Sequence, residues 1–139
     1  MRMHKPVGRG QALVEFALVL PVLLVLSMLI IQYGIIFYTT LSVTNLTREG
    51  ARYAATAPVS NDPILTRIQN VMPPNIKYSD LNITISPDEG DSVRAVGSGG
   101  LITVTITYNM SKKLFLPSTF FGAKIFSTTY STQTTMMVE

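Results

Sequence analysis

Glu15 stands five residues after Gly10 and directly before Phe16, at the lip of an apolar run, FALVLPVLLVLSMLIIQYGIIFY, from Phe16 to Tyr38. That run carries no charge, and Ser27 and Gln32 are its only polar side chains apart from tyrosine hydroxyls. A carboxylate at such a threshold is costly to bury unless it is paired. Two kinds of chemistry suit it. As a residue near a helix start it is favoured by the helix dipole and wetted by lipid headgroups. Alternatively it awaits a cation. A cut after Gly10 would supply one, because it frees an α-ammonium on Gln11, one helical turn from Glu15 and on the same face. Glycine suits a scissile bond at a membrane surface, since it hinders an extended, accessible backbone least; it would also serve as a plain hinge before a helix.

The elements around these residues follow from composition. A bilayer core needs about 20 apolar residues as helix, and the run meets that length. A soluble chain of 139 residues is too short to enclose so long a helix that is apolar on every side. Arg2, Lys5 and Arg9 precede the run, and the next charges are Arg48 and Glu49. The distribution of positive charge puts the N-terminus in the cytoplasm and the C-terminal two-thirds outside. The net charge of +3 does not point to nucleic acid. Three of the 11 Lys and Arg lie in the first ten residues, leaving eight cations against eight carboxylates in the rest. The expected organisation is a basic leader over 1–10, an N-terminal helix over 11–57 with a transmembrane segment over 16–38, and an exported domain over 58–139. The run is too long for an ordinary secretory signal, and its nearest small-residue cleavage candidate is distant, at Ala55 to Ala57.

Outside the membrane the helix pattern continues. Val43, Leu46, Gly50, Tyr53, Ala54 and Ala57 recur at spacings of three and four. Gly50 and the alanines keep that stripe thin, for close approach of another element. Glu49 and Arg52 are placed to pair at i,i+3, and Pro58 ends the helix. Pro21 removes a backbone hydrogen bond to Ala17, giving a kink that is either a functional soft point or merely tolerated. Asn61-Asp62-Pro63 reads as a capping side chain followed by proline at a helix start, opening a short helix over 63–72 with an apolar stripe of Ile64, Leu65, Ile68, Val71 and Met72. Residues 81–85 and 101–109 alternate as strands, the second with Ile102, Val104, Ile106 and Tyr108 on one face and threonines on the other. The tail from Lys124 reads as a third strand, and residues 86–100, ending in GSGG, read as a mobile loop. KKLFLPSTFFG reads as an apolar loop or a short helical turn. Leu114, Phe115, Leu116, Phe120 and Phe121 would then cap the core or present a partner patch. The threonine rows are either a solvated face or an adhesive one. The fold class is therefore α+β: a long helix carrying a small domain with a short helix and about three antiparallel strands.

Catalytic chemistry is sparse. There is no cysteine, and the one histidine is His4, so a zinc set, a thiol nucleophile and a Ser-His pair are excluded. GSGG lacks the spacing of a phosphate loop. Asp88, Glu89 and Asp91 do not match a calcium loop. Neither an enzyme, a cofactor, nor a small-molecule substrate is expected.

G-x-x-x-x-E-F at Gly10 to Phe16, ALVLP at Ala17 to Pro21, and REGARYAA at Arg48 to Ala55 together resemble the TadE-like family of minor pilins and pseudopilins in Tad/Flp-type type IV pilus systems. The motif residues Arg48, Glu49, Gly50, Ala51, Arg52 and Tyr53 form its distal part. The resemblance covers about a third of the chain, nearly all in one helix. It implies a pilin-like lollipop fold, cleavage between Gly10 and Gln11 by a prepilin peptidase, and assembly through the N-terminal helix with other pilins and minor pilins. It also implies that Glu15, beside Phe16, meets the N-terminal amine of a neighbouring subunit and sets axial register. A bacterial inner-membrane location, with pilus assembly and surface adherence as the role, follows from the same resemblance. The other reading is an unprocessed, permanently anchored binding or scaffold protein.

Overall fold

The computed structural model describes residues 9–56, 60–95, 97–120 and 122–139. The expectations for Arg2, His4, Lys5, Ala57, Pro58 and Phe121 fall outside those residues. The fold is α+β, as the patterning predicts. A single helix, α1 (Arg9–Thr56), is followed by α2 (Asp62–Asn70). Strands β1 (Leu81–Ser86), β2 (Leu101–Asn109) and β5 (Thr129–Met137) form an antiparallel sheet in the order β1-β2-β5. A two-residue hairpin, β3 (Thr119–Phe120) and β4 (Ala123–Lys124), lies between β2 and β5.

Alternation on β2 builds the core. Ile102, Val104, Ile106 and Tyr108 are all fully buried. Side chains alternate across a strand, so this row faces α1 while the threonines between them face outward. Register carries the row sideways: Ile106 lies opposite Ile83 and Val104 opposite Ile85 on β1, while Ile102 and Tyr108 lie opposite Met136 and Tyr130 on β5. From α1, Val43, Leu46, Ala51, Ala54 and Ala55 complete the core, and Ile64 and Ile68 of α2 enter it from the side. On the outer face the hydroxyls pair across β2 and β5, Thr103 with Thr135 at 2.7 Å and Thr107 with Ser131 at 3.0 Å.

Several local expectations are corrected. Residues 86–100 are not an open loop. Arg94 is buried in them, and its Nη1 donates to Asn61 Oδ1 at 2.8 Å. That contact also explains why Asn61 does not cap α2 with its side chain. Glu89 takes over at that helix end, accepting from Asn61 N at 3.2 Å. Asp91 accepts from Val93 N in its own 3-10 turn. The GSGG stretch is a tight closure rather than a flexible linker. Ser98 Oγ donates to Val93 O at 2.6 Å, and Gly97 N and Gly100 O bond the C-terminal residues Glu139 and Val138. A Cβ on Gly100 would lie 2.4 Å from the Val93 carbonyl oxygen, so that position requires glycine. α2 is shorter than the predicted 63–72, and Val71 is exposed.

At Gly50 three elements meet. A Cβ there would stand 2.8 Å from Ile68 Cδ1 and 3.6 Å from Val104 Cγ1. Alanine gains about 1 kcal/mol of helix propensity, which offsets much of its small overlap. Valine has no such compensation, and overpacking costs about 1–3 kcal/mol. Gly50→Val should therefore lower the thermal midpoint of the C-terminal domain well below that of Gly50→Ala. Adding Ile68→Ala, which vacates the overlapped space, should recover more of the loss than independent effects predict. Circular dichroism melts of wild type, Gly50→Ala, Gly50→Val, Ile68→Ala and the Gly50→Val/Ile68→Ala double variant in one detergent read this directly.

Candidate functional site: the apolar helix and its junction with the domain

α1 changes environment along its length. From Gly10 to Ile31 every residue is exposed except half-buried Leu29, although the stretch is almost wholly apolar. At 1.5 Å per residue these 22 residues span about 33 Å, enough for a bilayer core of about 30 Å. The helix is long and apolar enough to cross a membrane, with a mean hydropathy of 2.7 over its best window and none of that window buried. Ser27 hides its hydroxyl by donating to Leu23 O at 2.8 Å.

Gly10 and Gln11 lie in the first turn of α1, not in extended backbone. A peptidase acting between them must first unwind that turn. The cost is small, because the first four N–H groups of a helix have no intrahelical partner. A Cβ on Gly10 would meet nothing within 4 Å, so packing in this chain does not demand glycine there. Glu15 is exposed and accepts from Gln11 Nε2 at 3.3 Å, one turn away on the same face. Phe16 is 63% exposed beside it. The helix runs through Pro21 without interruption.

The distal motif has a structural explanation residue by residue. Gly50 and Ala51 are buried against the domain, Tyr53 is half-buried, and Arg48 is exposed. Glu49 pairs with Arg52 at 3.4 Å, as the spacing predicts. It also receives Arg67 of α2, whose Nη2 and Nε lie 2.5 and 3.1 Å from Oε1. The Arg67 hydrogen bonds chiefly hold the Glu49 carboxyl below its ordinary pKa, with Arg52 adding to the effect. The group thus clamps α2 onto α1 beside the Gly50 crossing.

Three features escaped sequence reasoning. Gln32, inside the apolar run, is fully buried, and its Oε1 accepts from Phe115 N at 3.3 Å. Tyr33 meets Phe126 edge-on with ring centroids 5.3 Å apart. The connection between β2 and β5 thus packs on α1 within residues 16–38. Tyr130 also reaches α1, its hydroxyl 3.2 Å from Thr44 Oγ1. Gln32 was visible as one of two polar breaks in the run, but nothing in its neighbours announced the partner.

Residues 10–52 match the family model described as TadE-like protein. This stretch of α1 is TadE-like. The match ends two residues past Gly50, so α2 and the sheet lie beyond it. No curated protein and no solved structure matches the chain.

The Glu49 clamp has a pH signature. A carboxyl whose folded pKa is lowered contributes stability that is present above its unfolded pKa and lost as pH falls through the folded one. Wild type should exceed Glu49→Gln in thermal midpoint at neutral pH, and the gap should close as the pH drops below the ordinary carboxylate range. A Glu49→Gln/Arg67→Met cycle at neutral pH should give a coupling of about 0.5–1 kcal/mol, the upper part of the range for a partly exposed pair.

Proposed function

We propose that this chain is a minor pilin or pseudopilin of a Tad/Flp-type pilus system, inserted once in the bacterial inner membrane with its N-terminus in the cytoplasm and residues 58–139 exported. A prepilin peptidase cuts after Gly10. Gln11 becomes the new N-terminus, and the chain then assembles with other pilins through its apolar helix, serving pilus assembly and surface adherence. The observation that carries this reading is the coincidence of the TadE-like match over residues 10–52 with a helix that is apolar and exposed over its first 22 residues. A stretch of apolar helix left almost wholly exposed by its own chain is built for lipid or for other helices.

Glu15 fits the assembly role by its chemistry. Its partner among the described residues is a neutral amide at 3.3 Å, which does not compensate the carboxylate charge. An α-ammonium from a neighbouring subunit would supply that charge and would fix register as helices slide along one another. Gly10 fits the cleavage role because the fold itself makes no use of its missing side chain.

The second reading, an unprocessed anchored scaffold protein, draws on the helical backbone at Gly10 and Gln11. The two readings separate on the intact mass of the protein extracted from its native membranes. Under the pilin reading the chain begins at Gln11 only in cells that contain the peptidase; a leader retained in both backgrounds supports the scaffold. Glu15→Ala should be processed as wild type yet fall at least about tenfold in co-purification with partner pilins, the loss expected when a charge in a low-dielectric setting loses its partner. Wild-type assembly by this variant would remove Glu15 from the mechanism.

A further inference from the structure

The connection between β2 and β5 leaves the sheet on the side that faces the apolar half of α1. β5 follows α1 toward its C-terminus: Tyr130 meets Thr44, and Glu139 N bonds Ala55 O at 3.0 Å. In the other direction the chain runs past the sheet to Gln32 and Tyr33. Twelve residues separate Thr44 from Gln32, a descent of about 18 Å along the helix axis. The contact level is the point where α1 stops being bare: Ile31 is exposed and Gln32 is fully buried.

The descending segment is held firmly at its start. Lys112 pairs with Asp80 at 3.3 Å. Lys113 donates to Asn75 O and lies 5.3 Å from the Tyr108 ring centroid. At its far end Ile125 N bonds Ser118 O at 2.8 Å, closing the hairpin base. Yet the segment leaves apolar groups uncovered, with Phe115 51% and Ile125 38% exposed. On α1 at the same level, Tyr33, Phe37 and Tyr38 are also exposed. Aromatic side chains gathered where an apolar helix leaves a bilayer are characteristic of the headgroup level.

We propose that the exposed side chains of Phe115 and Ile125, on the connection between β2 and β5, are inserted into the headgroup–acyl boundary of the phospholipid bilayer on the exported side. The occupant follows from continuity, because these side chains adjoin the stretch of α1 that must itself be covered by lipid. The proposal rests on the membrane-anchor part of the function proposed above. It shifts the hydrocarbon-spanning residues from 16–38 toward 10–31, since Gln32 lies against protein.

The chain contains no tryptophan, so single tryptophans report position without background. Phe115→Trp, Leu24→Trp and Thr84→Trp are compared as full chains in phospholipid nanodiscs. The discs carry bromine near the headgroup, bromine near the chain end, or none. Leu24→Trp, in the middle of the bare helix, should be quenched most by the deep bromine, and Thr84→Trp, exposed on β1, by neither. Phe115→Trp should be quenched about twofold or more by the shallow bromine and less by the deep one, as expected for insertion about 5–10 Å into the boundary. If Leu24→Trp is not quenched, the anchor reading itself fails. If Leu24→Trp is quenched while Phe115→Trp stays open to an aqueous quencher, the anchor stands and this proposal is overturned. Protection of Phe115→Trp from both lipid and aqueous quenchers overturns it in favour of a protein partner. Ile125→Trp repeats the measurement should Phe115→Trp fail to fold.

Discussion

A missing side chain holds the C-terminal domain to its helix. At Gly50 the backbone of α1 comes so close to Ile68 that a Cβ would overlap its side chain, while Val104 stands within ordinary contact distance. Close approach lets α2 and β2 share one short face of α1, made of Gly50, Ala51, Ala54 and Ala55, all buried. Small residues give up contact area, which the fully buried Ile64, Ile68, Ile102, Val104 and Ile106 restore from the opposing side. The Glu49–Arg67 pair lies at the rim of this crossing. Apolar contact there supplies the attraction, and the charged pair limits how α2 is oriented.

One helix therefore serves two surroundings. Toward its C-terminus it follows the rule of a globular core, small residues inward and charges outward. Toward its N-terminus it is apolar on every side, as a lipid-covered helix must be, since lipid offers no polar direction to select. Between Gln32 and Thr39 the rules mix: two fully or nearly fully buried polar side chains share a stretch with exposed Tyr33, Phe37 and Tyr38. The hydroxyls of Ser27, Ser42, Thr44 and Thr47 each turn back to a carbonyl four residues earlier. That habit lets polar residues persist in a helix without asking for water.

What the sequence made legible and what it did not divide along the reach of the interactions. β2 occupies residues 101–109 as the alternation predicts, because a two-residue period is a local signal and its buried face leaves no freedom of register. Val43, Leu46, Gly50 and Ala54 of the predicted stripe on α1 are buried, while Ala51 and Ala55, also buried, lie outside it. Arg94 was not. A cation in a segment rich in Gly, Asp and Ser looks solvated, and its burial depends on Asn61, 33 residues away. Arg67 likewise reaches Glu49 across 18 residues. The stretch KKLFLPSTFFG has neither a helical nor a strand period, and its position follows from a backbone N–H meeting Gln32 across 83 residues. Around Glu15 the spacing was readable because it is local: Gln11 lies one turn away, though it is its side-chain amide that meets the carboxylate.

The rigid length of α1 links the two ends of the bare stretch. Seventeen residues separate Glu15 from Gln32, about 26 Å along an unbroken helix. A bilayer core is about 30 Å thick. In the placement proposed above, with Gln32 at one boundary of the core, Glu15 would lie about 4 Å inside the opposite one, and any tilt would draw it deeper. Were the domain instead to sit deeper, with Tyr38 at that boundary, Glu15 would stand at the other lip, where water and headgroups satisfy it. Docking of Phe115 on Gln32 thus acts on a carboxylate at the far side of the membrane. It raises the desolvation cost of the unpaired charge and so strengthens the demand for a cation. The neutral amide of Gln11 cannot meet that demand. In that placement, the depth at which the C-terminal domain rides decides whether Glu15 is an ordinary interfacial residue or a group that needs a neighbour.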